Sequence, residues 1–148
     1  MTTSHYQAPD WFTRNVFNRA VAGLTRLGVS VSGSRILEVR GRKTGEPRRV
    51  PVNVLHLEGE RYLVAPRGHT QWVRNLRVAG EAHLLLGRGR ERIRAVEVAD
   101  ADKVAILRAY LQRWKWEVGQ FFGGVGPEDP VDDLQRIAPD HPVFRIER

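Results

Sequence analysis

The chain has 148 residues with a formal net charge of +7, and 41% of its residues are hydrophobic. This size suits one domain with its own core, so we predict that residues 1–148 form a single domain. The composition excludes a disordered chain or a repeat array. The chain has no cysteine, which excludes disulfides, thiolate nucleophiles and cysteine-bound zinc. The positive charge favours an anionic partner, either nucleic acid, anionic lipid or a phosphorylated small molecule.

The first 28 residues are predicted to form an N-terminal helical segment. After Asp10 as N-cap, apolar residues recur at three- and four-residue spacing up to Gly28. The start of the chain has neither a basic n-region nor an apolar h-region, and no apolar run is long enough to span a membrane. We therefore predict a cytoplasmic protein. Trp11 and the arginines of this segment leave peripheral membrane contact open as an alternative.

Alternating apolar and polar residues predict strands in the rest of the chain, at 35–40, 49–57, 61–64, 82–86, 91–98 and 142–147. The pair Glu58-Gly59 predicts a tight hairpin between the second and third strands. Residues 87–90 (Gly-Arg-Gly-Arg) predict a second hairpin loop between the fourth and fifth strands.

Two further helices are predicted after the third strand. The first is short, with Thr70 as N-cap and an end near Gly80. The second starts near Asp102 and buries one stripe of apolar residues, including Trp114, as far as Val118. Two prolines, at 127 and 130, are predicted to break the chain after it. Antiparallel hairpins with a few helices indicate an α+β domain built on a small barrel.

The common catalytic templates are absent. The sequence has no HExxH, GxGxxG or P-loop and no Ser-His-Asp order, so catalytic residues stay unknown. Its five histidines are scattered singly, and we predict no metal site.

The first notable motif is the basic turn RGRKTGEPRR at residues 40–49. Five cations flank Gly, Thr, Gly and Pro between two predicted strands. Such a turn exposes backbone N–H groups beside guanidinium and ammonium groups, which suits a phosphate or carboxylate. A basic hairpin loop facing water is the alternative.

The second motif is PRGHTQWVRNLR at residues 66–77, which leaves a strand and enters a helix. A helix N-terminus attracts anions, and Arg67, Arg74 and Arg77 add positive charge. The alternative is that Trp72 anchors the core and Asn75 is a local cap. If the two motifs converge, they form a credible site for a polyanion.

Together the two motifs resemble the deazaflavin-dependent nitroreductase family, the F-420-binding branch of the flavin-reductase-like split barrels. The family's G-R-K-[ST]-G-x-P-R turn corresponds to residues 41–48, and its W-x-x-N-L element to residues 72–76. The resemblance covers roughly residues 37–98. It implies an α+β split β-barrel of about six mainly antiparallel strands, with an N-terminal helix, a short helix after the third strand and a C-terminal helix.

The resemblance implies coenzyme F-420, an anionic 8-hydroxy-5-deazaflavin, as the cofactor. It implies that Lys43 and Arg48 hold the phosphate and tail, that residues 51–53 run along the ring, and that the loop 65–68 meets its edge. At residues 66–69 the chain has Pro-Arg-Gly-His where many relatives carry Ser-Lys-Gly-Gly. The implied cofactor-binding residues are Arg42, Lys43, Thr44, Arg48, Pro51, Val52, Asn53, Ala65, Pro66, Arg67, Gly68, Gln71, Trp72 and Asn75.

The implied activity is hydride transfer from the reduced cofactor to an electron-poor acceptor such as a quinone, a nitro compound or an activated enone. Trp116, Phe121 and Phe122 are predicted to wall the substrate pocket. By analogy with other split barrels, which commonly dimerise, a homodimer is left open.

Three alternatives remain open from the sequence. One is an FMN-binding split-barrel reductase, whose cofactor needs fewer cations. Another is a non-catalytic carrier of a deazaflavin or a fatty acid with the same fold. The third, which we disfavour, is a nucleic-acid-binding barrel that uses the alternating Arg88, Arg90, Arg92 and Arg94, because no aromatic residue for base stacking lies among them.

Overall fold

The computed structural model describes residues 33–148, so the helix predicted within residues 1–28 lies outside the described residues. The strands are β1 (Ser34–Arg40), β2 (Pro47–Leu57), β3 (Glu60–Val64), β4 (Glu81–Leu86), β5 (Gly89–Glu97) and β6 (Val143–Glu147). They close into a barrel in the order β1-β2-β3-β6-β5-β4, and every neighbouring pair is antiparallel. The prediction of an α+β split barrel is confirmed.

Within residues 33–148, three helices accompany the barrel: α1 (Gln71–Ala79), α2 (Val104–Val118) and α3 (Val131–Ile137). Short 3₁₀ turns lie at Asp100–Asp102, Gly119–Phe121 and Ala138–Asp140. No helix within residues 33–148 combines the length and apolar character needed to cross a membrane.

The core has two parts because alternate residues of a strand point to opposite faces. Leu63 packs inside the barrel with Leu37 and Ile93, whereas its neighbour Val64 packs outside, under α2 and α3. Trp114 is fully buried in the outer part, as the sequence predicted. Helices α2 and α3 therefore cover one side of the barrel around β2, β3 and β6, whereas α1 packs against β1 and β4.

Local turn chemistry sets two of the boundaries. Glu58 and Gly59 both have positive φ, at 50° and 81°, which is the backbone of a two-residue hairpin turn. Helix α1 ends at Gly80, which has φ 73° and donates its N–H to the carbonyl of Leu76 at 2.8 Å. Both predictions are confirmed.

Two predictions about local structure need correction. Gly89 and Arg90 belong to β5, because Gly89 pairs with Leu86, so the second hairpin turn is shorter than predicted. Helix α3 was not predicted, since Pro130 was interpreted only as a chain break. Pro130 instead occupies the N-cap position of α3, and Leu134 of that helix is buried in the outer core.

Candidate cofactor site

The loop between β1 and β2 is tied directly to α1. The backbone N–H of Arg42 donates to Asn75 Oδ1 at 3.1 Å, and its guanidinium donates to the same oxygen at 2.8 Å and to Gln71 Oε1 at 2.9 Å. Asn75 is only 5% exposed. The structure therefore brings together the two motifs that the sequence singled out, at the end of the barrel where β1 ends and β2 begins.

The same loop is closed by its own backbone. Gly41 donates its N–H to the carbonyl of Glu46 at 2.8 Å, and Gly45, with φ 80°, donates to the carbonyl of Gly41 at 2.9 Å. The Thr44 hydroxyl accepts the N–H of Glu46 at 3.2 Å, so this side chain shapes the turn. The turn is thus held in one conformation before any ligand binds.

Lys43 and Arg48 are the cations that this turn presents to solvent. Both are exposed. Among residues 33–148, no carboxylate forms an ion pair with either of them, although ten ion pairs form elsewhere in this part of the protein. Their positive charges are available to an anionic ligand.

The N-terminus of α1 adds further donors. Thr70 occupies the N-cap position with an extended backbone, but its side chain makes no capping hydrogen bond, and the first turn contains no acidic residue. Thr70 Oγ1 is buried, and no hydrogen-bond partner for it lies within the described chain. The free backbone N–H groups and this hydroxyl suit a phosphate at the start of α1.

The loop 65–68 is fixed from the C-terminal part of the chain. The carbonyl of Ala65 accepts from the N–H of Gly68 at 3.3 Å and from Nδ1 of His141 at 3.2 Å. The His141 ring stacks on Phe122 with centroids 4.1 Å apart, and the Arg67 guanidinium lies 4.8 Å above the Phe121 ring. Sequence reasoning missed His141, since a single buried histidine carries no recognisable motif.

The other arginines of the second motif are engaged. Arg77 makes two hydrogen bonds to the carboxylate of Glu97, at 2.8 and 2.7 Å, and this pairing raises the pKa of Arg77. Arg74 donates to the carbonyl of His69 at 3.1 Å. The Arg77 guanidinium is therefore paired with a carboxylate, whereas Arg74 holds the carbonyl of His69 near the start of α1.

Residues 51–53 lie in β2 and are half-buried. Asn53 Nδ2 donates to Glu117 Oε1 of α2 at 3.2 Å. Burial raises the pKa of the Tyr110 phenol, and a hydrogen bond with Asn53 partly opposes that rise. Asn53 therefore links this part of β2 to two residues of α2.

Trp72 packs on the barrel core, with its ring centroid 6.1 Å from that of Phe144. This position agrees with the interpretation of Trp72 as a core anchor. Gln71 and Asn75, on the same helix, face the β1–β2 loop.

The three aromatic residues predicted to wall the substrate pocket lie in three different environments. Trp116 is 71% exposed and donates Nε1 to the carbonyl of Arg113 at 3.2 Å. Phe121 is half-buried beneath Arg67, and Phe122 is 1% exposed in the outer core. Phe122 is thus a core residue in this structure, and the three rings do not form one wall.

The arginine stripe of the second hairpin is partly paired with carboxylates. Arg92 pairs with Glu81, whereas Arg90 shares Glu38 with Arg49 and Arg94 shares Glu147 with Arg145. The positive charge of this surface is therefore reduced by its strand neighbours. Within residues 33–148, no group of three potential metal-ligating side chains comes together.

Comparison with known families bears on the identity of the cofactor. Residues 12–119 match the model of the F420H(2)-dependent quinone reductase family. The chain belongs to this family. The match confirms the resemblance drawn from the two motifs and the F-420-dependent reductase class, and it gives no support to FMN as the cofactor. No curated protein matches the sequence.

Solved structures share the fold of this family member at low identity. One described as a domain-swapped dimer has 16% identity and a TM-score of 0.57, covering 95% of this chain and 100% of that chain. An F420-H2-dependent reductase (FDR-A) has 16% identity and a TM-score of 0.53, covering 78% and 94%. A protein of unknown function from Agrobacterium tumefaciens has 14% identity and a TM-score of 0.52, covering 94% and 54%.

Proposed function

We propose that this protein transfers a hydride from reduced coenzyme F-420 to an electron-poor acceptor, such as a quinone, a nitro compound or an activated enone. The observation that carries the proposal is the junction of the two motifs through Arg42 and Asn75. It holds the β1–β2 loop, whose Lys43 and Arg48 form no ion pair within residues 33–148, against α1. The bound cofactor supplies the hydride, so the protein needs no catalytic triad.

In this proposal the residues of the loop and of the helix have different roles. Lys43 and Arg48 bind the anionic phosphate and tail, because both are exposed and make no ion pair in the described chain. The Thr70 hydroxyl and the first N–H groups of α1 face the phosphate. Arg42 is a positioning residue, since its backbone N–H and its Nη1 donate to Asn75 and Gln71.

The acceptor side of the site is proposed to lie along β2. Residues 51–53 would follow the ring, and the contact of Asn53 with Glu117 would make the position of this strand depend on α2. Trp116 and Phe121 are the aromatic side chains nearby with exposed surface for a flat acceptor. A homodimer and a cytoplasmic location complete the proposal.

The proposal is tested by turnover. The full chain is mixed anaerobically with reduced F-420, and oxidation of the cofactor is followed by its absorbance after addition of a quinone or a nitroarene. Enzyme-dependent oxidation supports the proposal. Tight binding of F-420 without turnover of any acceptor would instead identify a carrier.

A matched pair of variants separates site effects from general charge effects. Lys43→Ala is expected to raise the KM for reduced F-420, because it removes a cation that faces the cofactor tail. Arg88→Ala removes an equally exposed cation from the turn between β4 and β5. It should leave the KM unchanged.

A further inference from the structure

His69 lies in the loop that leads into α1, and its ring is held from two sides. Its Nε2 lies 3.0 Å from the carbonyl oxygen of Pro139, and its Nδ1 lies 3.3 Å from Nη1 of Arg77. The residue is half-buried. The ring therefore joins the loop to the C-terminal part of the chain on one side and to α1 on the other.

The two partners of the ring fix the position of its proton. A carbonyl oxygen only accepts hydrogen bonds, so Nε2 carries the proton and donates to Pro139. A guanidinium group only donates, so Nδ1 accepts from Arg77 with its lone pair. The ring is thus neutral in this arrangement, and each of its nitrogens makes a hydrogen bond of the correct polarity.

The Arg77 side of this arrangement is itself fixed. Two hydrogen bonds, at 2.8 and 2.7 Å, hold the Arg77 guanidinium on the carboxylate of Glu97 in β5. A guanidinium bound by both oxygens of a carboxylate has a defined orientation. Arg77 therefore presents Nη1 to His69 from a fixed position beside the barrel.

The Pro139 side is anchored by a buried lysine. Pro139 belongs to the 3₁₀ turn Ala138–Asp140. The ammonium group of Lys103 donates to the carbonyl of Ala138 at 2.9 Å and pairs with the carboxylate of Asp100 at 2.7 Å. The lysine is only 2% exposed. The turn that receives the imidazole is therefore fastened to the start of α2.

His69 stands directly before the N-cap residue of α1. Its backbone carbonyl accepts a hydrogen bond from Nε of Arg74 at 3.1 Å, and the N–H of Thr70 donates to the carbonyl of Gly68 at 2.9 Å. Both the backbone and the side chain of this one residue are thus held. Because Thr70 and the first N–H groups of α1 follow it, the position of His69 sets where these donors lie.

A second histidine fastens the other end of the loop. Nδ1 of His141 donates to the carbonyl of Ala65 at 3.2 Å, and the N–H of Ala65 donates to the carbonyl of Pro142 at 2.9 Å. The loop is therefore held at both ends by the C-terminal part of the chain. His141 is 1% exposed, so its removal would also disturb the core. Removal of the half-buried His69 tests the loop with less disturbance.

We propose that His69 is a positioning residue that holds the loop 65–68 and the start of α1 in place for the cofactor. The inference rests on the proposed function, which assigns the phosphate of F-420 to the donors at the start of α1. His69 acts through Thr70 and Gly68 and does not touch the cofactor. Its contribution is preorganisation, because a loop that the imidazole already restrains loses little freedom when a ligand binds.

Three variants of the full chain test the proposal. His69→Ala removes both hydrogen bonds of the ring, whereas His69→Gln keeps an amide donor and an amide acceptor and is the conservative replacement. His56→Ala removes an exposed histidine from β2 and is the control. Amide hydrogen exchange, measured by NMR without cofactor, reports on the loop. Fluorescence quenching titrations with F-420 report on binding.

His69→Ala should loosen the loop and weaken binding together. The amides of Gly68 and Thr70 should exchange at least about threefold faster than in the wild type, because the ring no longer restrains them. The Kd for F-420 should rise by about threefold to tenfold. With a quinone as acceptor, the KM for reduced F-420 should rise with little change in kcat. His69→Gln should recover most of each effect, and His56→Ala should match the wild type.

The outcomes separate this inference from the proposed function. Unchanged exchange in His69→Ala would show that the ring does not hold the loop. Faster exchange with unchanged F-420 affinity, or a loss of affinity that His69→Gln does not restore, would also overturn the positioning role, while binding by the wild type would still support the proposed function. If the wild type binds no F-420, the inference and the proposed function fail together.

Discussion

The side-chain oxygen of Asn75 accepts two hydrogen bonds from Arg42, one from the backbone N–H at 3.1 Å and one from the guanidinium at 2.8 Å. Asn75 is buried on α1, one turn after Trp72, which packs on the barrel core. The β1–β2 loop is therefore positioned by the barrel through α1. In our account this contact, more than any single cation, shapes the cofactor site.

Asn75→Ala should destabilise the fold by about 1–3 kcal/mol, because it leaves the partly buried donors of Arg42 without their acceptor. It should also weaken F-420 binding, since the loop is no longer held against α1. Gln71→Ala is the matched control: it removes one exposed acceptor from the same guanidinium and should change stability by less than about 0.5 kcal/mol. Urea unfolding measures both, and equal losses in the two variants would contradict the role given to Asn75.

The hairpin between β2 and β3 offers a stabilising substitution. Glu58 has φ 50°, a backbone conformation that asparagine tolerates better than glutamate. Glu58→Asn should raise the free energy of unfolding by about 0.5–1 kcal/mol. Thermal unfolding checks this, with Glu60→Asn in the adjacent strand as a control that should bring no gain. A loss of stability in Glu58→Asn would show that the turn is held differently.

The two aromatic residues Phe122 and Trp116 should respond in opposite ways to truncation. Phe122 is buried and stacks on His141, so Phe122→Ala should cost about 3–5 kcal/mol. Trp116 is exposed, and Trp116→Ala should change stability by less than about 0.5 kcal/mol. Chemical denaturation of both variants provides the measurement. A small effect of Phe122→Ala would return that ring to the list of pocket residues.

The buried Glu38 should make stability depend on pH. Burial raises the pKa of its carboxyl, but hydrogen bonds and charges from Arg49 and Arg90 outweigh that effect, and the pKa is lowered from its ordinary value of 4.5. Because the folded state binds the proton less readily than the unfolded state, the stabilisation is complete above about pH 4.5 and is lost as the pH falls through the lowered pKa.

Glu38→Gln should therefore lower stability clearly at pH 7 and much less at about pH 3. Glu81→Gln, which breaks the exposed pair with Arg92, is the control and should have a smaller effect at both pH values. Tm values of both variants, measured from about pH 3 to pH 7, provide the test. A Glu38→Gln penalty of the same size at both pH values would rule out an ionic origin.

Much of the barrel was predictable because its signals are local. The alternation of apolar and polar residues located the strands. The pair Glu58-Gly59 marked a turn, and Gly80 marked the end of a helix. Helix α3 was missed although Pro130 followed by Asp132 and Asp133 is a helix-start pattern, because a seven-residue segment shows little periodicity. Short helices form mainly because they pack on the surrounding core, which the local sequence does not show.

The site was predictable as two motifs but not as a set of contacts. Nothing local shows that Arg42 serves Asn75, which lies 33 positions later, or that His141 holds Ala65. The sequence shows arginines 90, 92 and 94 as a basic stripe, and only the neighbouring strands reveal the glutamates that pair with them. Contacts between distant parts of the chain decide which cations remain for a ligand.

The most direct test of our account is the binding of F-420 and FMN to the purified full chain, followed separately by fluorescence quenching. We predict that F-420 binds with micromolar or tighter affinity, that FMN binds more weakly, and that Lys43→Ala weakens F-420 binding by about tenfold. Arg88→Ala should bind like the wild type. A preference for FMN, or no binding of either cofactor, would contradict the account.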